Sequence, residues 1–253
     1  MIGAISDLHM GSGRACDRFG HEEAPFLEFL DFLEGEYERL VLVGDVYETH
    51  HGWRFRGFRA ELARCRAVRP RIDARLRGPR YEWIHGNHDE VLAALGVPWR
   101  LDVEAAGTRL LFVHGHQFDR VVQRLPVSSQ FLSWSGAFLA RQGVGAGLTF
   151  LDWLDDRMGG LSHDGERCRY QAVALELAAA ERADVLVMGH THLGAVGRRG
   201  GRVYVNSGAC LFGRFEYAHL DVARSCFEVR RWLGGRRWSA LSTTAGDPGT
   251  AGG

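Results

Sequence analysis

Short apolar runs in this chain each end in a turn that carries Asp, Asn or His side chains. The runs have the length of buried strands and are too short for helices. The turns that follow them occupy residues 7–9, 44–45, 85–89, 114–116 and 189–192. Because ligand sites in α/β sheets form beyond the carboxyl ends of strands, this pattern predicts one polar site at which these strand ends meet.

The segments between these runs favour helices. Apolar residues recur at helical spacing in residues 23–34 and 166–181, and a basic stretch at about 55–67 also indicates a helix. Strands are expected at 2–6, 40–43, 81–84, 110–113, 185–188, 203–205, 217–220 and 227–229. This order predicts an α/β domain in which helices cover sheets.

The composition excludes several classes of function. The chain has 31 Lys plus Arg and 31 Asp plus Glu, so its net charge gives no reason to expect a nucleic acid or an acidic partner. Every basic residue is Arg, which excludes P-loop and Schiff-base chemistry because both need Lys. The five cysteines include no Cys-x-x-Cys pair and indicate neither a disulfide framework nor a thiolate zinc site. Without a signal peptide or a long apolar run, a cytoplasmic protein is expected.

The polar residues at the strand ends are of the types that bind divalent metals. They offer carboxylate, amide and imidazole groups and no sulfur, a set that suits Mn²⁺, Fe²⁺ or Zn²⁺. Each residue alone also fits a strand-end cap or a hydrogen-bonded histidine, so the prediction depends on the whole set. The set exceeds the needs of one ion and therefore predicts two; it comprises Asp7, His9, Asp45, Asn87, His114, His190 and His192.

The same turns give the chain a resemblance to the calcineurin-like metallophosphoesterases. The shared motifs, in that family's order, are Asp-x-His at 7–9, Gly-Asp at 44–45, Gly-Asn-His-Asp at 86–89, His-Gly-His at 114–116 and Gly-His-Thr-His at 189–192. The resemblance implies a four-layer αββα sandwich. It further implies that one ion is held by Asp7, His9, Asp45 and His192. The second ion would be held by Asp45, Asn87, His114 and His190, with the Asp45 carboxylate bridging both.

The resemblance also implies a mechanism. Two such cations acidify a shared water and clamp the phosphate oxygens. His88 follows Asn87 and is predicted to stabilise the transition state or to protonate the leaving oxygen. Asp89 is predicted either to accept a hydrogen bond from the His88 ring or to cap a helix that begins near Val91. The candidate substrate contacts are His116, His51 and Arg120.

Residues 117–165 form an insert that is too long for a simple connection. Apolar residues at helical spacing lie on both sides of Pro126, which predicts a helical cap beside the site. The position of the insert, and the sequence His-Gly-His-Gln-Phe-Asp-Arg before it, resemble the bacterial UDP-2,3-diacylglucosamine pyrophosphohydrolases. Those enzymes usually carry Arg where this chain has His88. One domain is expected over residues 1–243, followed by a flexible tail at 244–253.

Three functions are compatible with these patterns. The first is a capped hydrolase of a phosphodiester or pyrophosphate bond, with manganese as the expected metal, a lipid-linked nucleotide as substrate and peripheral membrane contact. The second is a manganese-dependent nuclease acting on single-stranded DNA or RNA, in which the nine arginines of residues 54–77 track phosphates rather than form a solvated helix. The third, a binding protein without catalysis, is disfavoured because no predicted ligand is replaced.

Overall fold

Strands and helices alternate in the first part of the chain. The computed structural model describes residues 1–13, 16–143 and 163–243. Its first elements are β1 (Ile2–Ile5), α1 (Glu23–Glu36), β2 (Arg39–Val43), α2 (Phe58–Val68), α3 (Pro70–Leu76) and β3 (Tyr81–Ile84). These three strands pair in parallel, which requires crossover connections, and the helices supply them.

The second part of the chain contains three α-helices and eight further strands among the described residues. Its elements are β4 (Arg100–Ala105), β5 (Thr108–Val113), α4 (Arg120–Arg124), α5 (Pro126–Arg141), α6 (His163–Ala180), β6 (Val185–Met188), β7 (Ala195–Arg199), β8 (Arg202–Asn206), β9 (Glu216–Asp221), β10 (Cys226–Trp232) and β11 (Trp238–Thr243). Short 3-10 helices occupy Glu90–Leu95 and His116–Phe118. None of the described helices is long and apolar enough to cross a membrane.

The described strands form two sheets that face each other. One has the strand order β11-β10-β9-β1-β2-β3, and the other has the order β4-β5-β6-β8-β7. Helices α1, α2 and α3 cover the outer face of the first sheet, and α6 covers that of the second. The predicted αββα sandwich is therefore confirmed.

Side-chain alternation explains why the central strands are apolar throughout. In β5, Leu110 and Phe112 enter the core between the sheets, whereas Leu111 and Val113 pack towards α6. Because successive side chains of a strand point to opposite faces, a strand covered on both faces needs apolar residues at every position. This double burial produces the apolar runs from which these strands were predicted.

Three strands that the sequence did not predict, β4, β7 and β11, all lie at sheet edges. Strand β4 has the sequence Arg-Leu-Asp-Val-Glu-Ala, in which charged and apolar residues alternate. An edge strand has solvent beside it and tolerates this composition. These strands therefore lack the apolar runs by which the central strands are recognised.

The basic stretch forms two helices rather than one. Helix α2 ends at Val68, and α3 begins at Pro70. Proline is favoured at the first position of a helix, and it disfavours helical backbone in the residue before it, which explains the break at Arg69. Pro126 starts α5 for the same reason. The rest of the predicted insert at 144–162 and the predicted tail at 244–253 lie outside the described residues.

Candidate metal centre

The carboxyl ends of β1, β2, β5 and β6 meet in one place. Within each sheet a backbone hydrogen bond joins neighbouring loops, from Asp7 N to the Gly44 carbonyl at 3.1 Å and from Gly189 N to the His114 carbonyl at 3.0 Å. Between the sheets, His190 N donates to Asp7 Oδ2 at 2.9 Å. The structure therefore brings these predicted site residues together at a seam between the two sheets.

Five of the seven predicted ligands have left-handed backbone conformations. The φ angles are 54° at Asp7, 46° at His9, 53° at Asp45, 69° at His190 and 56° at His192. This conformation costs roughly 1–2 kcal/mol per residue that is not glycine. Such strain persists only where the surrounding structure enforces it, and it concentrates at functional sites. The strand-end loops are thus held in shapes that local preference alone would not select.

Two motif glycines are needed because side chains of the site pass directly against the backbone. A Cβ atom at Gly86 would overlap the Asp45 carboxylate, and one at Gly189 would overlap Ser6 and the Asp7 carboxylate. Neither position needs a left-handed backbone, so close approach rather than a positive φ is the constraint.

Asp7, His9 and His192 form the first group of candidate ligands. His192 Nε2 lies 3.2 Å from Asp7 Oδ1 and 3.2 Å from His9 Nε2. His9 Nδ1–H donates a hydrogen bond to the Glu48 carboxylate at 3.1 Å. In this tautomer the Nε2 atom of His9 keeps its lone pair. Ligands about 2.1 Å from a common ion lie roughly 3.0–3.4 Å from each other, so these separations fit a coordination sphere.

Asp45, His114 and His190 form the second group, in which one ligand atom of each residue lies within 4.8 Å of the others. His114 Nδ1 donates to the Val43 carbonyl at 2.7 Å, so its Nε2 is the free nitrogen. Asp45 Oδ2 lies 3.1 Å from this nitrogen and 3.9 Å from His9 Nε2. One oxygen of Asp45 therefore faces both groups.

Buried atoms without hydrogen bonds show that these groups fit metal ions. Within the described ranges, Asp7 Oδ1, Asn87 Oδ1 and His114 Nε2 are buried and make no hydrogen bond. The other oxygen of Asp7 is satisfied by Ser6 and by the backbone of His190. An unsatisfied buried polar group costs about 1–3 kcal/mol, and coordination to a divalent ion would remove that cost at all three atoms.

The ionisation of Asp7, Asp45 and His9 suits cation binding. Burial alone would raise the pKa of Asp7, but His192 and His114 lower it to about 2. Burial is likewise outweighed at Asp45, where His114 and His88 hold the pKa well below its usual range. Burial lowers the pKa of His9 to about 4. Near neutral pH the carboxylates are ionised and His9 is neutral, the forms in which these side chains bind metals. At His114 burial is outweighed by the Asp45 carboxylate, which raises the pKa to about 10, so a metal ion at Nε2 would have to displace a proton.

Glu48 is the main site residue that the sequence did not single out. It is fully buried and lies 2.9 Å from His88 Nδ1 as well as 3.1 Å from His9 Nδ1. It also accepts the backbone N–H of His50 at 3.1 Å. A carboxylate three residues after Asp45 was a signal, but nothing in the sequence indicates that it faces two histidines from distant segments.

His88 lies beside both groups of ligands. Its ring contacts the His9 ring with centroids 4.7 Å apart, and its backbone N–H donates to Asp45 Oδ1 at 2.8 Å. Burial disfavours a charged ring, but the Glu48 and Asp45 carboxylates outweigh it and raise the pKa of His88 to about 9. The ring therefore carries a proton near neutral pH.

Asp89 stands at the predicted N-cap position of a short 3-10 helix, but neither of its two predicted side-chain bonds is present. The His88 ring bonds to Glu48 instead, and Asp89 makes no side-chain capping bond to the 3-10 helix that follows it. Its buried carboxylate accepts four backbone N–H groups, from Asp45, Val46, Tyr47 and Gly86. Burial raises its pKa to about 6, while the N–H donors act in the opposite direction. Asp89 thus ties the loop of Asp45 to the loop of Asn87.

The three predicted substrate contacts lie in different environments. His116 lines a cavity of about 240 Å³ together with Asn87. Arg120 is exposed at the start of α4. His51 is buried, and its Nδ1 lies 3.0 Å from the Cys16 carbonyl. The structure therefore places His116 beside the predicted ligands and does not bring His51 to the wall of that cavity.

Asn206 stabilises the turn that carries His190 and His192. Its side-chain amide donates to the Gly189 carbonyl at 2.8 Å and to Thr191 Oγ1 at 3.0 Å. Because Asn206 is at the end of β8, next to β6 in the same sheet, it reaches the turn across one strand spacing. This residue positions ligands and does not contact the centre itself.

The fold and the centre together define a metal-dependent phosphoesterase. The family model described as calcineurin-like phosphoesterase matches residues 1–194, and the chain belongs to that family. The protein is therefore a phosphoesterase, as expected from its motifs. No curated protein matches the chain significantly in sequence.

Solved structures resemble the whole chain at low identity. Vps29 from Chaetomium thermophilum is 15% identical, with 94% of each chain covered and a TM-score of 0.50. The phosphoesterase Yfce from E. coli is 20% identical over 96% of this chain and 98% of its own, with a TM-score of 0.46. A predicted phosphoesterase from Streptococcus pneumoniae TIGR4 is 16% identical over 94% and 96% of the chains, with a TM-score of 0.42. At these identities the likeness concerns the fold alone.

Proposed function

We propose that the protein hydrolyses a phosphodiester or pyrophosphate bond at a centre of two divalent ions. The observation that carries this proposal is the position of Asp45, whose Oδ2 faces His114 at 3.1 Å and His9 at 3.9 Å. When bound, such ions lower the pKa of the attacking water and neutralise the phosphate. Manganese is the expected metal, with iron or zinc as alternatives.

In this proposal each of the two groups of candidate ligands holds one ion. Asp7, His9, Asp45 and His192 would hold one ion, and Asp45, Asn87, His114 and His190 would hold the other. Each carboxylate uses one oxygen for the centre and the other for the protein. Asp7 Oδ2 accepts the His190 N–H, and Asp45 Oδ1 accepts the His88 N–H. These hydrogen bonds fix the orientation of both carboxylates and would leave Asp7 Oδ1 and Asp45 Oδ2 available to the ions.

His88 would act as the acid that protonates the leaving oxygen. Its Nδ1 is engaged with Glu48 at 2.9 Å, so Nε2 is the nitrogen that can give a proton to substrate. Asp89 would position the loops of the centre, since its carboxylate accepts backbone N–H groups from both of them. His116 would contact the substrate from the wall of the adjoining cavity.

The cap and a lipid-linked nucleotide belong to the proposal. Helix α5 lies in the predicted insert at 117–165 and leaves five large apolar side chains 40 to 50% exposed: Val127, Phe131, Leu132, Phe138 and Leu139. Apolar side chains exposed in a row suit an acyl chain or a membrane surface. A substrate that carries acyl chains would be reached by peripheral contact with a membrane, and a cytoplasmic location remains our expectation.

Hydrolysis of a substrate panel tests this function. Purified protein with Mn²⁺ would be given a phosphomonoester, bis(p-nitrophenyl) phosphate, a nucleoside diphosphate sugar with and without acyl chains, and single-stranded DNA. We expect turnover of the diester and of the diphosphates, with the acylated form cleaved faster. Exclusive cleavage of the monoester would contradict the proposal. Preferential cleavage of the DNA would instead indicate a nuclease.

The role of Glu48 predicts a shift in the pH profile. Glu48→Gln removes the charge that holds the proton on His88, so the pKa of His88 should fall by about 1–3 units. Activity that needs the protonated ring is present below its pKa and is lost as the pH rises through it. The alkaline limb of log(kcat/KM) against pH should therefore move to lower pH.

Glu34→Gln is the matched control for this change. Glu34 also accepts hydrogen bonds, from Arg75 and Tyr81, but it lies on α1 away from the centre. Its substitution should leave the alkaline limb in place. If Glu48→Gln lowered activity equally at every pH, Glu48 would act on the position of its partners and not on the proton of His88.

A further inference from the structure

One cavity adjoins the centre and shares part of its wall with a second, larger cavity. The smaller one, of about 240 Å³, includes Asn87 and His116. The larger one, of about 700 Å³, extends to Arg56 and Arg59 at the start of α2. His50, Glu90 and Gln130 line both. The shared residues therefore place the larger cavity next to the one that borders the centre.

Most arginines of residues 54–77 are neutralised by carboxylates. Six of the nine form ion pairs; these are Arg64 with Glu61, Arg66 and Arg77 with Asp73, Arg69 with Asp17, Arg71 with Glu23, and Arg75 with Glu34. Such pairing argues against a phosphate-tracking face along the whole segment.

Arg56 and Arg59 differ from these paired arginines. Among the residues that the structure describes, neither has a carboxylate within ion-pair distance, and both side chains are exposed to the larger cavity. Arg56 also has a left-handed backbone, with φ at 60°. Strain of this kind in a residue with a side chain concentrates at functional positions. The positive charge at this end of the cavity is thus available to a ligand.

The start of α2 adds hydrogen-bond donors to the same wall. Gly57, Phe58 and Ala60 line the larger cavity, and Gly57 precedes the helix without a side chain that could cap it. The first helical hydrogen bond runs from Glu61 N to the Gly57 carbonyl. The backbone N–H groups of Phe58, Arg59 and Ala60 therefore have no partner within the helix. Beside two guanidinium groups, these donors favour an anion.

Contacts connect this wall to His88. The His88 and His50 rings lie 4.6 Å apart, and the His50 and Phe58 rings lie 5.3 Å apart. Thr49, also on the cavity wall, donates both its backbone N–H and its hydroxyl to the His88 carbonyl. Phe58, which lines the arginine end of the cavity, is therefore connected to His88 through the His50 ring.

We propose that the larger cavity binds a second anionic group of the substrate, a phosphate held by Arg56 and Arg59. This inference rests on the proposed function, because the first phosphate is the one at the centre. Glu90 on the shared wall repels an anion placed between the two sites. The two phosphates are consequently separated by an uncharged spacer, which Phe58 and Val91 can contact.

Competitive inhibition by alkanediol bisphosphates tests the second site. The 1,4-, 1,6- and 1,8-alkanediol bisphosphates would be compared with the alkyl monophosphates of the same length, as inhibitors of bis(p-nitrophenyl) phosphate hydrolysis. At one spacer length, we expect the bisphosphate to bind about tenfold or more tightly than its monophosphate. Because either phosphate of a bisphosphate can bind at the centre, a factor of about two in affinity is expected without any second site.

Substitution of the two arginines should abolish this preference. In Arg56→Gln/Arg59→Gln the bisphosphate and monophosphate should bind equally, apart from the factor for equivalent ends, while kcat/KM for bis(p-nitrophenyl) phosphate stays within about twofold. Arg71→Gln is the control, because Arg71 belongs to the same basic segment but is paired with Glu23 at 2.8 Å. It should keep the preference.

Two results would overturn the proposal. They are the absence of any bisphosphate preference in the wild-type protein, and a preference that persists in the double variant. If the wild-type protein did not hydrolyse the diester, the proposed function would fail separately. Calorimetric titration of the manganese-loaded protein with the same two series would then measure the second site directly. Equal thermal unfolding temperatures would establish that the variants are folded.

Discussion

Asp45→Ala should lower kcat/KM by about 10³-fold or more and reduce the content of both divalent ions. The reason is that Oδ2 of this one residue faces both ligand groups, at 3.1 Å from His114 Nε2 and 3.9 Å from His9 Nε2. Metal ions contribute several kcal/mol to transition-state stabilisation, and each 1.36 kcal/mol corresponds to about a factor of ten. Elemental analysis of the purified protein and the kinetics of diester hydrolysis would measure the two effects.

Asp45→Asn separates charge from shape. Asparagine keeps an oxygen that can accept the His88 N–H, a bond of 2.8 Å in the structure, but it lacks the negative charge that would bridge two cations. We expect it to lose metal as well. Asp221→Asn, a buried carboxylate at the end of β9, serves as control and should keep its metal. Wild-type metal content and turnover in Asp45→Ala would refute the bridging role.

His88→Asn should lower turnover by about 10²–10⁴-fold while leaving the metal content unchanged. The side-chain amide of the introduced asparagine would occupy the place of Nδ1 and donate to Glu48, but it has no acidic proton for the leaving oxygen. The loss should be larger for esters with poor leaving groups, because these depend most on protonation. Rates for a nitrophenyl and an alkyl diester, measured in parallel, would test this dependence.

His88→Ala and His219→Gln complete this comparison. Alanine removes both the acidic proton and the hydrogen bond to Glu48. If His88 acts as the acid, the turnover of His88→Ala should be about as slow as that of His88→Asn. Recovery of activity in His88→Asn relative to His88→Ala would mean that His88 mainly positions Glu48. His219 is a buried histidine on β9 that lies 2.9 Å from the Tyr37 hydroxyl, and its substitution should not alter the leaving-group dependence.

The candidate ligands could be proposed from the sequence because they are local to strand ends. Asp7 and His9 follow β1, Asp45 follows β2, and His190 and His192 follow β6. An apolar run that ends in such residues can be recognised in the sequence, and parallel strands bring their carboxyl ends to one edge of a sheet. Grouping these residues into a centre therefore needed only the strand positions.

The contacts of Glu48, Asp89 and His51 were not visible in the same way. Glu48 bonds to His88, which is 40 residues away in the sequence, and Asp89 folds back onto the loop of Asp45. Glu48 lies three residues after one motif and Asp89 is the last residue of another, and sequence spacing does not tell which groups their carboxylates face. His51 was expected at the substrate, but its ring bonds to the Cys16 carbonyl, a partner that only the packed loops supply.

The sequence by itself determined the αββα class, the strand ends that carry the candidate ligands, and the chemistry that imidazole and carboxylate groups allow. Those properties follow from apolar runs, residue types and short spacings, which act locally along the chain. Tertiary structure decided the direction of each buried side chain, the left-handed backbone of the ligand loops, and the three sheet-edge strands. It also decided that Arg56 and Arg59, alike in sequence to their paired neighbours, border a cavity beside His50. These features depend on which distant groups become neighbours, and only the folded chain specifies that.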